Sequence, residues 1–179
     1  RGVGKTSTAR IIAKGLNCEG PNSDNAPTTE PCGVCSSCVS ITESRHLDII
    51  EMDAASRTGV SDVREIIENI DYKTVSARFK VYVIDEVHML SNSAFNALLK
   101  TLEEPPDHVK FIFATTEITK IPATVISRCQ RFDLSRIEAS QIALHLKKIC
   151  EKENISFSEK GLALISNTAE GSLRDALSI

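Results

Sequence analysis

The sequence contains no tryptophan, and aromatic residues fill only 4% of its 179 positions. It has no apolar run approaching the roughly 20 residues that a bilayer requires, so no transmembrane helix is expected. It has no excess of basic charge. The 21 Lys and Arg against 24 Asp and Glu leave a net charge of −3, which excludes a globally basic nucleic-acid binder while permitting a local basic surface. It has no internal repeat, no low-complexity tract, no initiating Met and no signal-peptide pattern. What is present is 41% hydrophobic and 25% charged, an ordinary soluble globular composition. The length suits one good core, or one core with a small appendage. The chain opens inside a motif and stops inside a helical pattern, so a fragment of a longer protein is expected.

The opening residues organise the reading. Gly2-Val3-Gly4-Lys5-Thr6 spells the back half of a phosphate-binding loop, G-x-x-x-x-G-K-[ST], whose first Gly would precede Arg1. Glycine lets backbone N–H groups turn toward phosphate oxygens with no Cβ in the way. Lys5 brings a mobile positive charge to β- and γ-phosphates, and the Thr6 hydroxyl is placed to ligate Mg²⁺. Ser7–Lys14 is predicted to be a helix whose N-terminal dipole faces those phosphates. Gly2, Val3, Gly4, Lys5, Thr6 and Ser7 are therefore the nucleotide-binding candidates. The competing reading is a Gly-rich turn before an ordinary helix.

A polar segment from Glu19 to Pro31 reads as a loop. It leads to Cys32, Cys35 and Cys38 at C-x₂-C-x₂-C spacing, with Gly33 suited to a metal knuckle and Cys18 upstream as the fourth thiolate. In a soluble nucleotide-binding protein this spacing favours a structural tetrahedral Zn²⁺ site over disulfides. A redox cluster and an iron–sulfur centre use related spacing. Cys129 and Cys150 are read as packing residues.

Leu47–Asp53 is predicted to be a short strand, Ala54–Gly59 a turn, and Val60–Ile70 a helix with one buried face and Ser61 as its cap. Phe79–His88 is an apolar run ending in Asp85-Glu86, the pattern of a buried parallel strand with carboxylates at its C-terminal end. Ligands of open α/β sheets bind outside that end. Asp85 would hold hydrated Mg²⁺, and Glu86 would orient and polarise an attacking water. A solvated acidic turn is the alternative. His88 is read as structural. Ser93–Glu104 is predicted to be a helix stopped by Pro105-Pro106, and Lys110–Thr116 a buried strand. Thr116 is suited to contact the γ-phosphate or the water, although a strand-end Thr is common. Arg128, taken alone, reads as a surface charge. Gln130–Leu134 is predicted to be a short last strand. Ile137–Glu153, with Lys147, Lys148 and Lys152 on a solvated face, Ser158–Thr168, and a segment opening at Gly171 with Arg174 in its first turn are predicted helices.

Taken in order, the phosphate loop, Cys-x₂-Cys-x₂-Cys, Ile84-Asp85-Glu86-Val87-His88, Ala97–Pro106, Ala114-Thr115-Thr116, Ser127-Arg128-Cys129 and Gly171–Ala176 closely resemble the gamma/tau subunits of bacterial DNA polymerase III, the AAA+ ATPase motors of the sliding-clamp loader. The resemblance covers essentially the whole chain. It implies that Lys5 and Thr6 are Walker A residues, that Asp85 and Glu86 are the Walker B pair, and that Thr116 is sensor 1. It implies that Arg128 is an arginine finger acting on a neighbouring subunit's ATP, that Arg174 is sensor 2, and that Cys18, Cys32, Cys35 and Cys38 ligate zinc. The implied fold is α/β: a P-loop AAA+ parallel sheet flanked by helices over residues 1–135, with a zinc module at about 18–38 and an incomplete helical lid over 136–179. The implied cofactors are ATP, Mg²⁺ and Zn²⁺. The implied partners are delta and delta-prime subunits, further gamma/tau copies, the sliding clamp, primed DNA and, for a tau form, the polymerase core, in the cytoplasm and without a membrane. The implied function is ATP hydrolysis that loads the clamp onto primed DNA, within a polymerase holoenzyme but with no polymerase constellation in this chain. The segment between Cys18 and Cys32 is longer than the family leads one to expect, and an adenine-holding segment is missing. The alternatives are another AAA+ motor of the branch-migration type, which the cysteines argue against, and a non-hydrolysing scaffold that binds nucleotide or zinc.

Overall fold

Three short strands, β1 (Ile49–Asp53), β2 (Lys80–Asp85) and β3 (Val109–Phe113), form a parallel sheet in the order β1-β2-β3. The computed structural model describes residues 1–21, 24, 26–56 and 59–179. Asn22, Ser23 and Asn25 of the predicted polar loop, and Arg57 and Thr58 of the predicted turn, lie outside the described residues. β2 is central, and its Val81, Tyr82, Val83 and Ile84 are all within 2% of complete burial, which is why that stretch is apolar throughout.

Successive side chains of β2 point to opposite faces. Val81 and Val83 pack with Ala9 and Ala13 of α1 (Lys5–Asn17) and Ile41 of α2 (Ser36–Thr42). Tyr82 and Ile84 pack with Val63 and Ile66 of α3 (Val60–Ile70) and Phe95 and Leu98 of α4 (Asn92–Glu103). Burial of each of the Val, Ile, Leu and Phe side chains contributes about 1.5–3 kcal/mol. Parallel strands need crossovers, and α3 and α4 supply them. α4 starts at an N-cap, Ser91, whose Oγ accepts the Ala94 N–H at 3.2 Å. It ends before Pro105, as the sequence requires.

Two units are compact in themselves: Thr6–Arg131, and Arg1–Lys5 together with Phe132–Ile179. The second is built on α6 (Ala139–Lys152), α7 (Glu159–Thr168) and α8 (Leu173–Ala176), with Ile142, Leu146, Leu162, Ala169 and Ala176 as its core and Cys150 packed against it. Within this unit the Leu173 N–H donates to Gly2 O at 3.1 Å. Lys147 reaches Glu159 at 3.0 Å on an exposed face.

The structure corrects three expectations. Gly59, not Ser61, is the N-cap of α3, and its N–H donates to Asp62 Oδ2 at 3.2 Å. Gly59 starts the helix because that N–H would otherwise be unpaired at the helix start and Asp62 is within reach. Gln130–Leu134 is not a strand. None of its residues joins the β1-β2-β3 ladder, and Phe132 is 72% exposed. Cys129 is exposed rather than packed, because the short helix α5 (Ala123–Ile126) ends before it and no sheet takes it up.

Two buried charges missed by the pattern fix the entry edge of the sheet. Lys80, 8% exposed, donates from Nζ to Asn69 O and Tyr72 O at 3.0 and 2.8 Å, closing the C-terminus of α3. Asp48, 1% exposed, accepts N–H bonds from Val75, Ser76 and Ala77, each at 2.9 Å. Burial alone would push the Asp48 pKa up, but these three N–H groups favour the carboxylate and hold it below its ordinary value. An amide cannot accept all three, so Asp48→Asn is expected to lower unfolding free energy by about 1–3 kcal/mol in denaturant titrations. Because the folded pKa is depressed, Asp48 stabilises fully above its unfolded value of about 3.9, and that contribution is lost as pH falls through the folded value. The variant should therefore show a shallower acid limb in stability against pH.

Candidate functional site

The C-terminal ends of β2 and β3 carry the candidate residues Asp85, Glu86 and Thr116. Register sets Asp53 beside Asp85 and Ile84 beside Phe113. The ladder continues past the strands, with Ala114 N–H donating to Ile84 O and Val87 N–H to Ala114 O, at 2.9 and 3.0 Å. Asp85 Oδ2 accepts the Thr6 hydroxyl of α1 at 2.6 Å, and its Oδ1 accepts the Glu86 N–H at 2.9 Å. Thr6 and Asp85 thus present a hydroxyl and a carboxylate side by side, an all-oxygen pair of the kind that holds Mg²⁺.

Glu86 sits in the left-handed region, with φ +47° and ψ +44°. Such a backbone costs a non-Gly residue about 1–2 kcal/mol and is seen where the surroundings enforce it. Here it turns the chain into a short 3₁₀ turn, Val87–Met89, and aims the carboxylate at β3. Glu86 Oε2 accepts from Thr116 N–H at 3.2 Å and from Thr116 Oγ1 at 3.0 Å. The two residues that the sequence assigned to water and γ-phosphate are therefore in direct contact.

Gly4 needs its identity for its backbone, at φ +95°. Val3 is half-buried, Ser7 is exposed on α1, and Lys5 opens α1 with no ion-pair partner among the described residues. In the second unit Arg174, on α8, lies beside the loop glycine: a Cβ placed on Gly2 would be 3.2 Å from Arg174 Cβ and would overlap Ser172 Oγ. Arg128 is brought to none of these groups within its own unit. It donates to Thr124 O and to Glu103 Oε1, both at 2.5 Å.

The four cysteines meet. The sulfurs of Cys18, Cys32, Cys35 and Cys38 all lie within 4.8 Å of one another. Zn–S bonds of about 2.3 Å in a tetrahedron place sulfurs about 3.8 Å apart, so a small contraction closes the site. Backbone N–H groups already point at the sulfurs: Gly20 and Cys32 to Cys18 Sγ at 3.4 Å, Cys35 to Cys32 Sγ at 3.3 Å, and Cys38 to Cys35 Sγ at 3.5 Å. The N–H groups of Val34 and Cys35 draw the Cys32 thiol down to about 6, while burial pushes Cys38 up to about 12. Cys18, the most distant ligand in sequence, is fully buried in the cluster despite the long intervening segment. The sequence reading missed Gly20. A Cβ there would stand 2.6 Å from Cys32 Sγ, and a Gly two residues after a Cys was the available signal.

The chain is similar to known proteins along its whole length. Residues 1–138 match the family model described as DNA polymerase III, delta subunit, and residues 141–179 the one described as DNA polymerase III clamp loader subunit, ATPase lid domain. DNA polymerase III subunit tau of Escherichia coli (strain K12) is 54% identical over the whole chain, which covers 27% of that protein. DNA polymerase III subunit tau of Bacillus subtilis (strain 168) is 51% identical over the whole chain, which covers 31% of it. The chain therefore spans about a third or less of these relatives. Among solved structures, the RuvB Holliday junction branch migration motor of Thermotoga maritima aligns with a TM-score of 0.62 at 14% identity, over 97% of this chain and 56% of that one. A DNA polymerase III gamma subunit-related protein of Thermotoga maritima aligns with a TM-score of 0.54 at 18% identity, over 99% and 57%. Identities this low speak for the fold alone, which is that of the AAA+ class of P-loop proteins. The chain belongs to the gamma/tau family of DNA polymerase III clamp-loader subunits.

Zinc added to chelator-treated protein is expected to raise its melting temperature, with one equivalent taken up per chain by elemental analysis. Gly20→Ala should take up zinc more weakly and recover less of that rise, because its methyl group occupies the space beside Cys32 Sγ.

Proposed function

We propose that this chain is the ATP-binding and ATP-hydrolysing part of a clamp-loader motor subunit, which couples hydrolysis to placing a ring-shaped sliding clamp on primed DNA. The observation that carries the reading is the pairing of Thr6 with Asp85 and of Glu86 with Thr116 at one end of a parallel sheet. It fits the family to which the chain belongs.

In this reading the backbone N–H groups of Gly2, Val3 and Gly4, with Lys5 and Ser7, bind the phosphates at the start of α1. Thr6 and Asp85 hold Mg²⁺, whose charge when bound offsets that of the phosphoryl oxygens. Glu86 orients a water in line with the γ-phosphorus and accepts its proton. Thr116 fixes Glu86 and faces the γ-phosphate. Arg174 contacts phosphate, and Arg128 reaches the ATP of a neighbouring subunit. Cys18, Cys32, Cys35 and Cys38 hold a zinc ion whose role is structural, since four protein ligands leave no open position. The partners are delta and delta-prime subunits, further gamma/tau copies, the clamp, primed DNA and, for a tau form, the polymerase core, in the cytoplasm. No described helix is long and apolar enough to cross a membrane.

The test uses the full-length subunit assembled with its partners. Clamp and primed DNA together should stimulate ATP hydrolysis. Glu86→Gln should lower the stimulated rate by about 10²-fold or more while ATP binding stays within about twofold. Arg128→Ala should abolish the stimulation. An unchanged rate in Glu86→Gln would remove that residue from the reaction. A wild-type assembly that binds ATP without turnover would leave a scaffold that binds nucleotide and does no chemistry.

A further inference from the structure

We propose that His88 is a positioning residue for the reaction, holding the Glu86 carboxylate in its working orientation. This inference rests on the function proposed above.

His88 follows Glu86 by two residues in the 3₁₀ turn Val87–Met89, and its side chain is only 6% exposed. Its ring lies among groups from both strand ends. Nδ1 is 2.9 Å from Thr115 Oγ1 and 3.4 Å from Glu86 Oε2. Nε2 is 3.5 Å from Glu117 Oε1. Thr115 Oγ1 also accepts the Glu117 N–H at 2.9 Å, so the residues around the ring are tied to each other as well as to it. Glu117 is held in turn by Lys120, 2.8 Å away.

The imidazole is thus a wedge between β2 and β3. With a proton on Nδ1 it donates into the gap between Thr115 Oγ1 and Glu86 Oε2. Glu86 Oε2 then has two hydrogen-bond donors on it, Thr116 N and Thr116 Oγ1, and the His88 Nδ1 edge 3.4 Å away on another side. Oε1 of the same carboxylate has no hydrogen bond among the described residues and is the oxygen left to take water. Pinning one oxygen turns the other, and a general base works only within hydrogen-bond reach of the proton that it takes. Without the ring, the strained left-handed Glu86 would keep its backbone turn, since Val87 N–H remains bound to Ala114 O, but its carboxylate would gain rotational freedom.

A residue that only packs would act on stability and on all activities alike. His88 as a positioning residue acts on turnover. In the assembled full-length subunit, His88→Phe keeps the ring volume and removes the donors. It should lower the clamp- and DNA-stimulated kcat by about 10- to 100-fold, with KM for ATP and nucleotide affinity within about twofold of wild type. His88→Asn places its amide where Nδ1 stands and should recover most of the lost kcat. His88→Gln, whose amide reaches toward the Nε2 side, should not. An undiminished kcat in His88→Phe overturns the proposal. So do Asn and Gln variants with equal kcat, or rates that merely follow the melting temperatures of the three variants. Absence of hydrolysis in the wild-type assembly is a different result, and it overturns the proposed function together with this role.

Discussion

Everything at the candidate site depends on the parallel register of β2 with its neighbours. β2 is bonded on both sides, so its end cannot slide without breaking the ladder to β1 or to β3. The last rungs, Ala54 N–H to Asp85 O and Val87 N–H to Ala114 O, bring three chain segments to one level. A slip of one residue would send Asp85 and Glu86 to the opposite faces and separate Glu86 from Thr116. The buried valines, tyrosine and isoleucine of β2 are the physical guarantee against that slip, since each has a dedicated helix on its own face.

The local rules are broken where the chemistry lies, and the breaks are supported from outside. A glycine at position 86 would adopt the left-handed turn without strain but would bring no carboxylate. Glutamate accepts a cost of about 1–2 kcal/mol, and its N–H bond to Asp85 Oδ1 and the Val87–Ala114 bond hold it there. The zinc-type module follows the same logic on a smaller scale. Its sulfurs converge before any metal is considered because backbone N–H groups at Gly20, Cys32, Cys35 and Cys38 each find a sulfur.

What was legible in the sequence was what is local or periodic. The apolar run into Asp85-Glu86, the buried stripe of Val60–Ile70, the proline stop after α4 and the cysteine spacing each state their structure in adjacent residues. What was illegible depends on a partner. Gln130–Leu134 offers an alternation of Phe132 and Leu134 with polar residues, but a strand is a pairing and not a property of five residues. Ser61 is a good capping type, yet the helix starts where Asp62 can reach back to Gly59. Lys80 looks like the solvated flank of a strand and is instead buried under the end of α3. His88 reads as structural, and only the fold shows that both of its nitrogens meet carboxylates. Arg128 reads as a surface charge, and its own unit gives it Glu103 and a carbonyl, so the finger role proposed for it rests on the family resemblance and not on the residue.

That last arrangement bears on how an arginine serves a neighbour without being held back by its own chain. Arg128 and Glu103 are 32% and 50% exposed, and exposed pairs of this kind are worth about 0–1 kcal/mol. The planar guanidinium binds carboxylate and phosphate oxygens with the same fork. Exchanging Glu103 for a phosphate at Nη2 would therefore replace one anionic oxygen by another at little loss, while Nη1 keeps its bond to the carbonyl of Thr124. A deeply buried carboxylate in place of Glu103 would have made the exchange costly, because breaking a buried pair leaves an uncompensated charge. Half exposure of Glu103 at the end of α4 orders the Arg128 side chain and leaves it transferable, as the role proposed for it across a subunit boundary would require.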